Sequence, residues 1–245
     1  WLKENVDSHQ ESYNDGLLGP AFGNSGFLRT IDDTLETTSK AVYGNVSYAV
    51  TEALRLSAGV RYTEEEKDYW RTTSTFYSLL PAFNATYVFA PPTGKWDDTS
   101  IMLSADYQLS SDAMVYARYA QGFKSGGFNG RANSATEATA YDPETADTFE
   151  VGAKTTYWDN RLRLNLAAFV TQYEDFQARV SQDVGTFPVL NAAELEIKGI
   201  EFEGSALLGE TTTLSAQLGY LDAQYKSFED FRLDPSYPGF DPNVT

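Results

Sequence analysis

Cysteine is absent from the 245 residues, which excludes disulfide staples, thiolate metal sites and cysteine nucleophiles. Histidine occurs once, as His9 in a polar stretch. A Ser-His-Asp relay or a multi-histidine metal site would have to rest on it alone, so His9 reads as a solvated loop residue and no enzyme is expected. Long hydrophobic runs are also missing. No segment approaches the roughly 18 apolar residues of a transmembrane helix, and the start at Trp1 lacks the charged-then-apolar order of a signal sequence. Positive charge is scarce, with 18 Lys and Arg against 35 Asp and Glu and a formal charge of -17. Such a chain repels phosphate backbones, and without a basic run it offers nothing to nucleic acid. None of these absences excludes a membrane. A transmembrane β-strand needs only about 9 to 11 residues with alternate ones apolar, which leaves mean hydropathy low, as it is here at -0.40.

Aromatic residues are abundant, at 14% with 16 Tyr and 15 Phe, and flat rings suit a pleated surface. The clearest pattern has period two. Leu54, Leu56, Ala58, Val60 and Tyr62 alternate with Arg55, Ser57, Gly59, Arg61 and Thr63. The same holds for Ile101, Leu103, Ala105, Tyr107 and Leu109 against Ser100, Ser104, Asp106 and Gln108, and for Leu162, Leu164, Leu166, Ala168 and Val170 against Arg161, Arg163 and Asn165. Alternation of this kind specifies strands with one apolar and one polar face. Further strands fit 42–50, 114–123, 148–157, 195–207 and 214–223, making eight, and all nine prolines fall outside them. In 195–207 the apolar parity slips around Gly199, which predicts a β-bulge at Lys198 and Gly199.

The connections alternate in length. Tight turns are expected near 51–53, 110–113, 158–160 and 208–213, and long loops near 1–37, 64–99, 124–147, 174–194 and 224–245. A soluble β-sandwich has no reason to sort its loops by sheet edge, whereas an outer-membrane barrel sets short periplasmic turns against long extracellular loops. Tyr48, Tyr62, Tyr107, Tyr157, Trp158, Tyr173 and Tyr220 lie near strand ends, where aromatic girdles would meet the membrane interfaces.

Two stretches carry a family likeness. Residues 116–129 read YARYAQGFKSGGFN, and 141–177 read YDPETADTFEVGAKTTYWDNRLRLNLAAFVTQYEDFQ. They resemble TonB-dependent receptor barrels, in which a strand ending "Y…GFK.GGFN" leads into a loop, a "PE…E.G.K" strand, a tight turn and a strand ending "F…Y.D". The matching positions are Gly122, Phe123, Lys124, Gly126, Gly127, Phe128 and Asn129, then Pro143, Glu144, Glu150, Gly152, Lys154, Phe169, Tyr173 and Asp175. Residues 191–225, with KGIEFEG and GYLDAQY, and residues 42–62 look like further hairpins of that family.

The resemblance implies an all-β, antiparallel transmembrane barrel in the outer membrane of a Gram-negative bacterium, with about eight strands visible of a barrel of roughly 22. It implies partners too: outer-membrane lipid, a ferric siderophore or similar chelate as cargo, and the TonB–ExbB–ExbD coupling complex, reached through a plug not legible in this sequence. With 241–245 reading as loop rather than a terminal aromatic strand, the expectation is a piece of a barrel or the ordered part of a longer protein.

Candidate ligand contacts are loop aromatics with a positive neighbour: Tyr69, Trp70, Arg71, Tyr77, Phe83 and Tyr87, joined by Phe123, Phe128 and Arg131. Rings give apolar area at little entropic cost, and an arginine can hold an anionic chelate. The bland reading is that these rings pack a long loop upon itself. Arg55, Arg61, Arg161 and Arg163 are expected to face a polar lumen and to pair with acids such as Asp106 and Glu150 or with a plug. The glycines at 122, 126, 127 and 130 fit no phosphate-loop spacing and read as loop hinges. No cofactor is expected: the acidic runs Glu64, Glu65 and Glu66 and Glu229, Asp230 and Asp234 lack EF-hand spacing and read as solvated loop charge, with a loop-bound calcium ion as the minority reading. The reading from another class is a surface or soluble β-sandwich that binds glycans as an adhesin.

Overall fold

A computed structural model describes residues 1–14, 26–130, 139–180 and 188–228. They form one layer of antiparallel strands: β1 (Leu2–Asn14), β2 (Phe27–Ala49), β3 (Leu54–Tyr77), β4 (Ala85–Phe89), β5 (Gly94–Ser110), β6 (Ala113–Lys124), β7 (Gly127–Phe128), β8 (Ala140–Tyr141), β9 (Glu144–Tyr157), β10 (Leu162–Arg179), β11 (Val189–Leu208) and β12 (Thr212–Phe228). The main sheet runs β1-β2-β3-β5-β6-β9-β10-β11-β12, with β4 paired to the far part of β3 and a separate two-stranded β7-β8 hairpin. Chain order is sheet order, so the sheet is a meander. It is an open arc of barrel wall with β1 and β12 at its edges.

All eight expected strands are present, and most are longer than the period-two signal. The residues expected as loops at 64–99 are in good part strand: β3 continues to Tyr77, β4 pairs Ala85–Phe89 with it, and β5 begins at Gly94. Likewise β1 and the first half of β2 occupy much of 1–37, β10 and β11 reach into 174–194, and β12 continues to Phe228. In β1, β2 and β3 these extensions were hidden because both faces carry polar side chains, leaving no apolar alternation to read; at 174–194 the apolar residues Phe176, Ala178, Leu190 and Ala192 pack together beyond the belt instead of continuing its alternation.

The registers put the apolar residues of neighbouring strands on one face. Tyr48, Leu56, Ala105, Ala117, Val151, Ala168 and Ile200 face the same way, as do Val46, Ala58, Leu103, Tyr119 and Phe149. Many of these side chains are exposed: Val46 71%, Leu103 50%, Val151 57%, Leu218 70%. An apolar surface of that extent would aggregate in water, but it is what a wall facing hydrocarbon requires. Along β3 the belt runs from Leu54 to Tyr62, about 27 Å at ~3.4 Å per residue, close to the length of a membrane-crossing strand.

The belt's borders are sharp. On the same face, one step beyond Tyr62, Phe149, Val170, Ile200 and Tyr220, stand Glu64, Asp147, Gln172, Lys198 and Asp222. Aromatic residues collect at these borders, with Tyr62, Tyr119, Phe149 and Tyr220 at one and Tyr48, Tyr107, Tyr157 and Trp158 at the other. Tyr173 departs from this expectation. It lies on the inner face, opposite Ala146 and Leu195, edge-on to Phe176.

The bulge expected at Lys198 and Gly199 is not there. Phe169 pairs with Gly199 and Val170 with Lys198 in unbroken register. The parity changes because the environment changes. Beyond the belt border the outer face turns charged, with Lys198, Glu196 and Lys226 linked at 2.7 to 2.8 Å, while the inner face turns apolar around Leu195, Tyr173, Phe176 and Tyr225. Two neighbouring lysines hold the Glu196 carboxyl down at about 2. The Phe169 ring lies so close to Gly199 that an added Cβ would meet it at 2.5 Å. The register irregularities fall further out instead, in β10 between Tyr173 and Gln177, where Asp175 has φ 53, and at Glu194/Leu195.

The tight connections 50–53, 111–112, 158–161 and 209–211 all lie at one end of the sheet. Trp158, Asp159 and Asn160 are left-handed (φ 56, 54 and 66), and Gly209 has φ 68. Arg161, expected on the lumen face, belongs to a turn instead. Its guanidinium donates to the Leu207 carbonyl at 3.2 Å and to the Gly209 carbonyl, tying two neighbouring turns together.

His9 is also not a loop residue. It sits on β1 opposite Asp32, with Nδ1 2.6 Å from the Asp32 carboxylate and Nε2 3.4 Å from Glu11. Hydrogen bonds to Asp32 and then Glu11 raise its pKa above the ordinary 6.5. A raised value means that the contribution to β1–β2 pairing is complete below pH 6.5 and fades as pH climbs through the raised value. Protection of the β1 amides, after allowance for the intrinsic rise of exchange with pH, should therefore fall as pH climbs above 6.5 through the raised value, and His9→Gln should flatten that dependence.

Candidate ligand-capture site

The belt ends at Tyr62, but β2 and β3 continue past it, so their inner face is presented beyond the membrane at the end opposite the tight turns. There Asp33, Leu35, Tyr69, Arg71 and Thr73 share one side, and the β6–β7 connection folds across it. Three anchors hold this overhang. Lys67 Nζ donates to Ser125 Oγ and to the Gly126 carbonyl, both at 2.8 Å. The Ser125 hydroxyl donates to Glu65. Arg71 donates to the Gly130 carbonyl.

Close packing reinforces them. Phe128 stacks on Tyr69 with centroids 5.6 Å apart and planes 9° apart, while Phe89 and Trp96 meet Phe128 edge-on. Glycine is required at 126, where an added Cβ would lie 2.3 Å from the Tyr141 carbonyl oxygen and 2.5 Å from the Trp96 ring. Gly126→Ala should accordingly loosen the overhang by about 1 to 3 kcal/mol, read as faster proteolysis within 124–141 while the barrel stays heat-modifiable.

The nine residues expected at a ligand separate in space. Tyr69, Arg71 and Phe128 come together, and Tyr87 on β4 stands opposite Thr73 on the same side. Trp70 points to the opposite face, 42% exposed. Tyr77 pairs with Phe27 at the tip, ring to ring at 5.5 Å. Phe83 is exposed in a one-turn 3-10 helix, Pro81–Phe83. Phe123 lies opposite Thr145 on the outer face of β6. Arg131 lies outside the described residues.

The arginine expected to hold an anion is already satisfied. Arg71 is 2% exposed, and its guanidinium meets Asp33 at 3.4 Å, the Tyr69 hydroxyl at 3.5 Å and Thr73 at 3.3 Å besides the Gly130 carbonyl. The Tyr69 hydroxyl in turn donates to Asp33 at 2.5 Å. Burial, then that hydrogen bond, pushes the Tyr69 phenol well above its ordinary value, so it stays a neutral donor. Arg71 is a structural tie that positions the aromatic ledge.

The residues that sequence reasoning set aside face the interior. Arg55, Arg61 and Arg163 are on the inner face, with Arg55 opposite Asp106 and Arg61 opposite Ser100. Arg118, not singled out from the sequence, stands opposite Ser104 and Glu150. The signal was its odd-even parity with Tyr119 and Ala117. Of the acidic runs, Glu65 pairs with Lys67 at 3.0 Å and Glu66 with Lys95 at 3.2 Å, and among the described residues no group of acids is arranged to hold a metal ion. Glu229, Asp230 and Asp234 lie outside them.

A one-layer antiparallel wall with an apolar belt outside, a polar face inside and an aromatic ledge at the end away from the tight turns defines an arc of a large outer-membrane β-barrel. The chain belongs to the TonB-dependent receptor family: the family model described as TonB dependent receptor-like, beta-barrel, matches residues 3–243. The pesticin receptor of Yersinia enterocolitica is 27% identical over 203 residues, covering 82% of this chain and 27% of that protein. A probable TonB-dependent siderophore receptor, PiuA of Acinetobacter baumannii, is 26% identical over 199 residues, 79% of this chain and 24% of the relative. Among solved structures, the ferric yersiniabactin uptake receptor FyuA from Yersinia pestis superposes with a TM-score of 0.65 at 20% identity, over 91% of this chain and 36% of that one. The chain thus spans about a quarter of the length of these curated relatives. It is barrel wall of a Gram-negative outer membrane.

Proposed function

We propose that the protein containing this chain is an energy-coupled receptor that takes up a scarce, bulky nutrient across the outer membrane, with a ferric siderophore or similar metal chelate as cargo. The barrel would be the shell, the overhang of 123–130 and the strand extensions part of the capture surface, and a plug with the TonB–ExbB–ExbD complex the gate and motor. No covalent chemistry and no resident cofactor enter this reading. The observation that carries it is the two-faced wall, apolar toward lipid and charged toward a lumen, in a chain of this family. A relative named as a probable TonB-dependent siderophore receptor and a structural neighbour named as a ferric yersiniabactin uptake receptor support the cargo class.

The test is a deletion strain starved of iron, supplied with single purified ferric chelates and complemented with the intact gene. Growth on at least one chelate that depends on both the gene and TonB is the expected result. Equal growth with and without the gene on every chelate would overturn the uptake reading.

A further inference from the structure

The anchors of the overhang on β3 have a counterpart on the far side of the sheet. β10 bends at Asp175 (φ 53), and its register with β11 shifts between Tyr173 and Gln177, which sets Gln177 directly opposite Asn191. Irregularities of this kind re-aim side chains. Both amides reach the β6–β9 connection, whose described limbs are 125–130 and 139–142. Gln177 Nε2 donates to the Ser125 carbonyl at 2.9 Å and to the Asp142 carbonyl at 3.0 Å. Asn191 stands in for a neighbouring strand at Asp142: its Oδ1 accepts the Asp142 N–H at 2.7 Å, and its Nδ2 donates to the Asp142 and Asp175 carbonyls, each at 2.8 Å. At the base of the limbs the buried Glu144 accepts from the Gln177 N–H at 2.9 Å and from Lys124 at 3.4 Å. Neutral amides suit this place, because they satisfy main-chain groups between β8 and β9 without bringing in a further charge.

The limbs are also joined to each other. Gly127 pairs with Tyr141 and Phe128 with Ala140, and the Asn129 N–H donates to the Thr139 carbonyl at 3.0 Å. A continuous path of contacts therefore runs from Asn191 on β11 through Asp142, the β7–β8 pair and Phe128 to Tyr69 and Arg71 on β3. It links strands that lie at the two ends of the series β3-β5-β6-β9-β10-β11. A chord fastened at both ends of an arc holds the arc's curvature and is held by it.

We propose that Gln177 and Asn191 are positioning residues for the aromatic ledge: they fasten the far end of a brace whose near end is Lys67 and Arg71, and Phe128 keeps its stack on Tyr69 only while both ends hold. The consequence for capture rests on the uptake reading, whereas the brace itself is read without any cargo. It is built of contacts that are made, so whatever else stands in the lumen packs against a brace already closed.

The experiment uses the full receptor in lipid vesicles, with Thr73→Cys as a reporter at the β3 end and thiol labelling followed by mass on the peptide that contains it. Thr73 is buried beside Arg71, whose Nε donates to it at 3.3 Å, so a thiol there is shielded until the cluster opens. Gln177→Met and Asn191→Leu keep side-chain size and remove the amide. Each should speed labelling of the reporter about 10-fold, as loss of a part-buried hydrogen-bonding group does when it lowers the cost of a local opening. Amide exchange within the belt of β10 and β11 should stay as it is.

Unchanged labelling at position 73 in both variants, with faster amide exchange confined to 140–142, would mean two separate ties and would overturn the brace. Faster exchange spreading into the belt in both variants would overturn it equally, because the two amides would then hold the wall rather than the ledge. Where Asn191→Leu alone unsettles the belt, Gln177→Met decides, since it leaves the Asn191 ties in place. None of these outcomes bears on uptake, which stands or falls with the growth assay.

Discussion

Leu103→Arg should cost the barrel about 2 to 4 kcal/mol, the expense of a guanidinium near the middle of a bilayer on a lipid-facing strand position. Leu103 lies mid-belt between Ala58 and Tyr119, half exposed to the outer side. Ser57→Arg, one step along β3 from Ala58 and on the inner face opposite Ser47 and Ser104, adds the same charge where water can solvate it, and should change stability by less than about 0.5 kcal/mol. Urea titration of the receptor in lipid vesicles, followed by heat-modifiable gel mobility, measures both. The contrast between the two arginines matters more than either value, because it separates the apolar face from the wetted one; that the measurement is made on protein inserted in lipid vesicles, which a soluble sheet would not enter, separates a membrane wall from a soluble sheet.

Arg71→Ala should be the most damaging change above the membrane, at about 3 to 5 kcal/mol of local stability, because it strands a carboxylate beside a buried cluster. Asp33 would lose its cation, and the Gly130 carbonyl and Tyr69 hydroxyl would each lose a partner. Arg71→Lys should recover only part of this, since one ammonium cannot span partners that a planar fork reaches together. Hydrogen exchange on 65–75 and 125–130 should rise in both variants while exchange within the belt stays put. Chelate affinity should fall with the ledge.

Much of the wall was legible because the membrane imposes period two on it. Leu54–Tyr62 on β3 and Leu162–Val170 on β10 had to alternate, and prolines had to stay out of strands whose amides all pair. The extensions 64–77 and 27–41 carried no such mark, because no hydrocarbon faces them: one side is wet, and the side that the overhang covers at Tyr69, Arg71 and Thr73 is held by polar ties as much as by rings. The slip at Gly199 was misread for the same reason. A change of face preference looks like a bulge when the sequence alone is visible, yet at Lys198 the surroundings changed and the register did not.

The ledge was partly legible. Tyr69, Arg71, Tyr87 and Phe128 were singled out as aromatic and cationic, and they share one side. Nothing in their spacing told that β7 would fold back to consume the Arg71 donors. Those contacts join residues about 60 positions apart in sequence, Lys67 to Ser125 and Arg71 to Gly130, and they are set by the overhang rather than by any local pattern.

The most direct test of the two-faced wall exploits the absence of cysteine from this stretch. Single cysteines placed in turn at positions 101 through 107 of β5 in the full receptor, in intact outer membranes, are exposed to a membrane-impermeant thiol reagent and, after fluorescent labelling, to a lipid-borne quencher. A two-faced wall gives strict alternation: positions 101, 103, 105 and 107 quenched by lipid and protected from the aqueous reagent, positions 102, 104 and 106 the reverse. Equal reactivity along the strand, or aqueous labelling at 103 and 105, would contradict it.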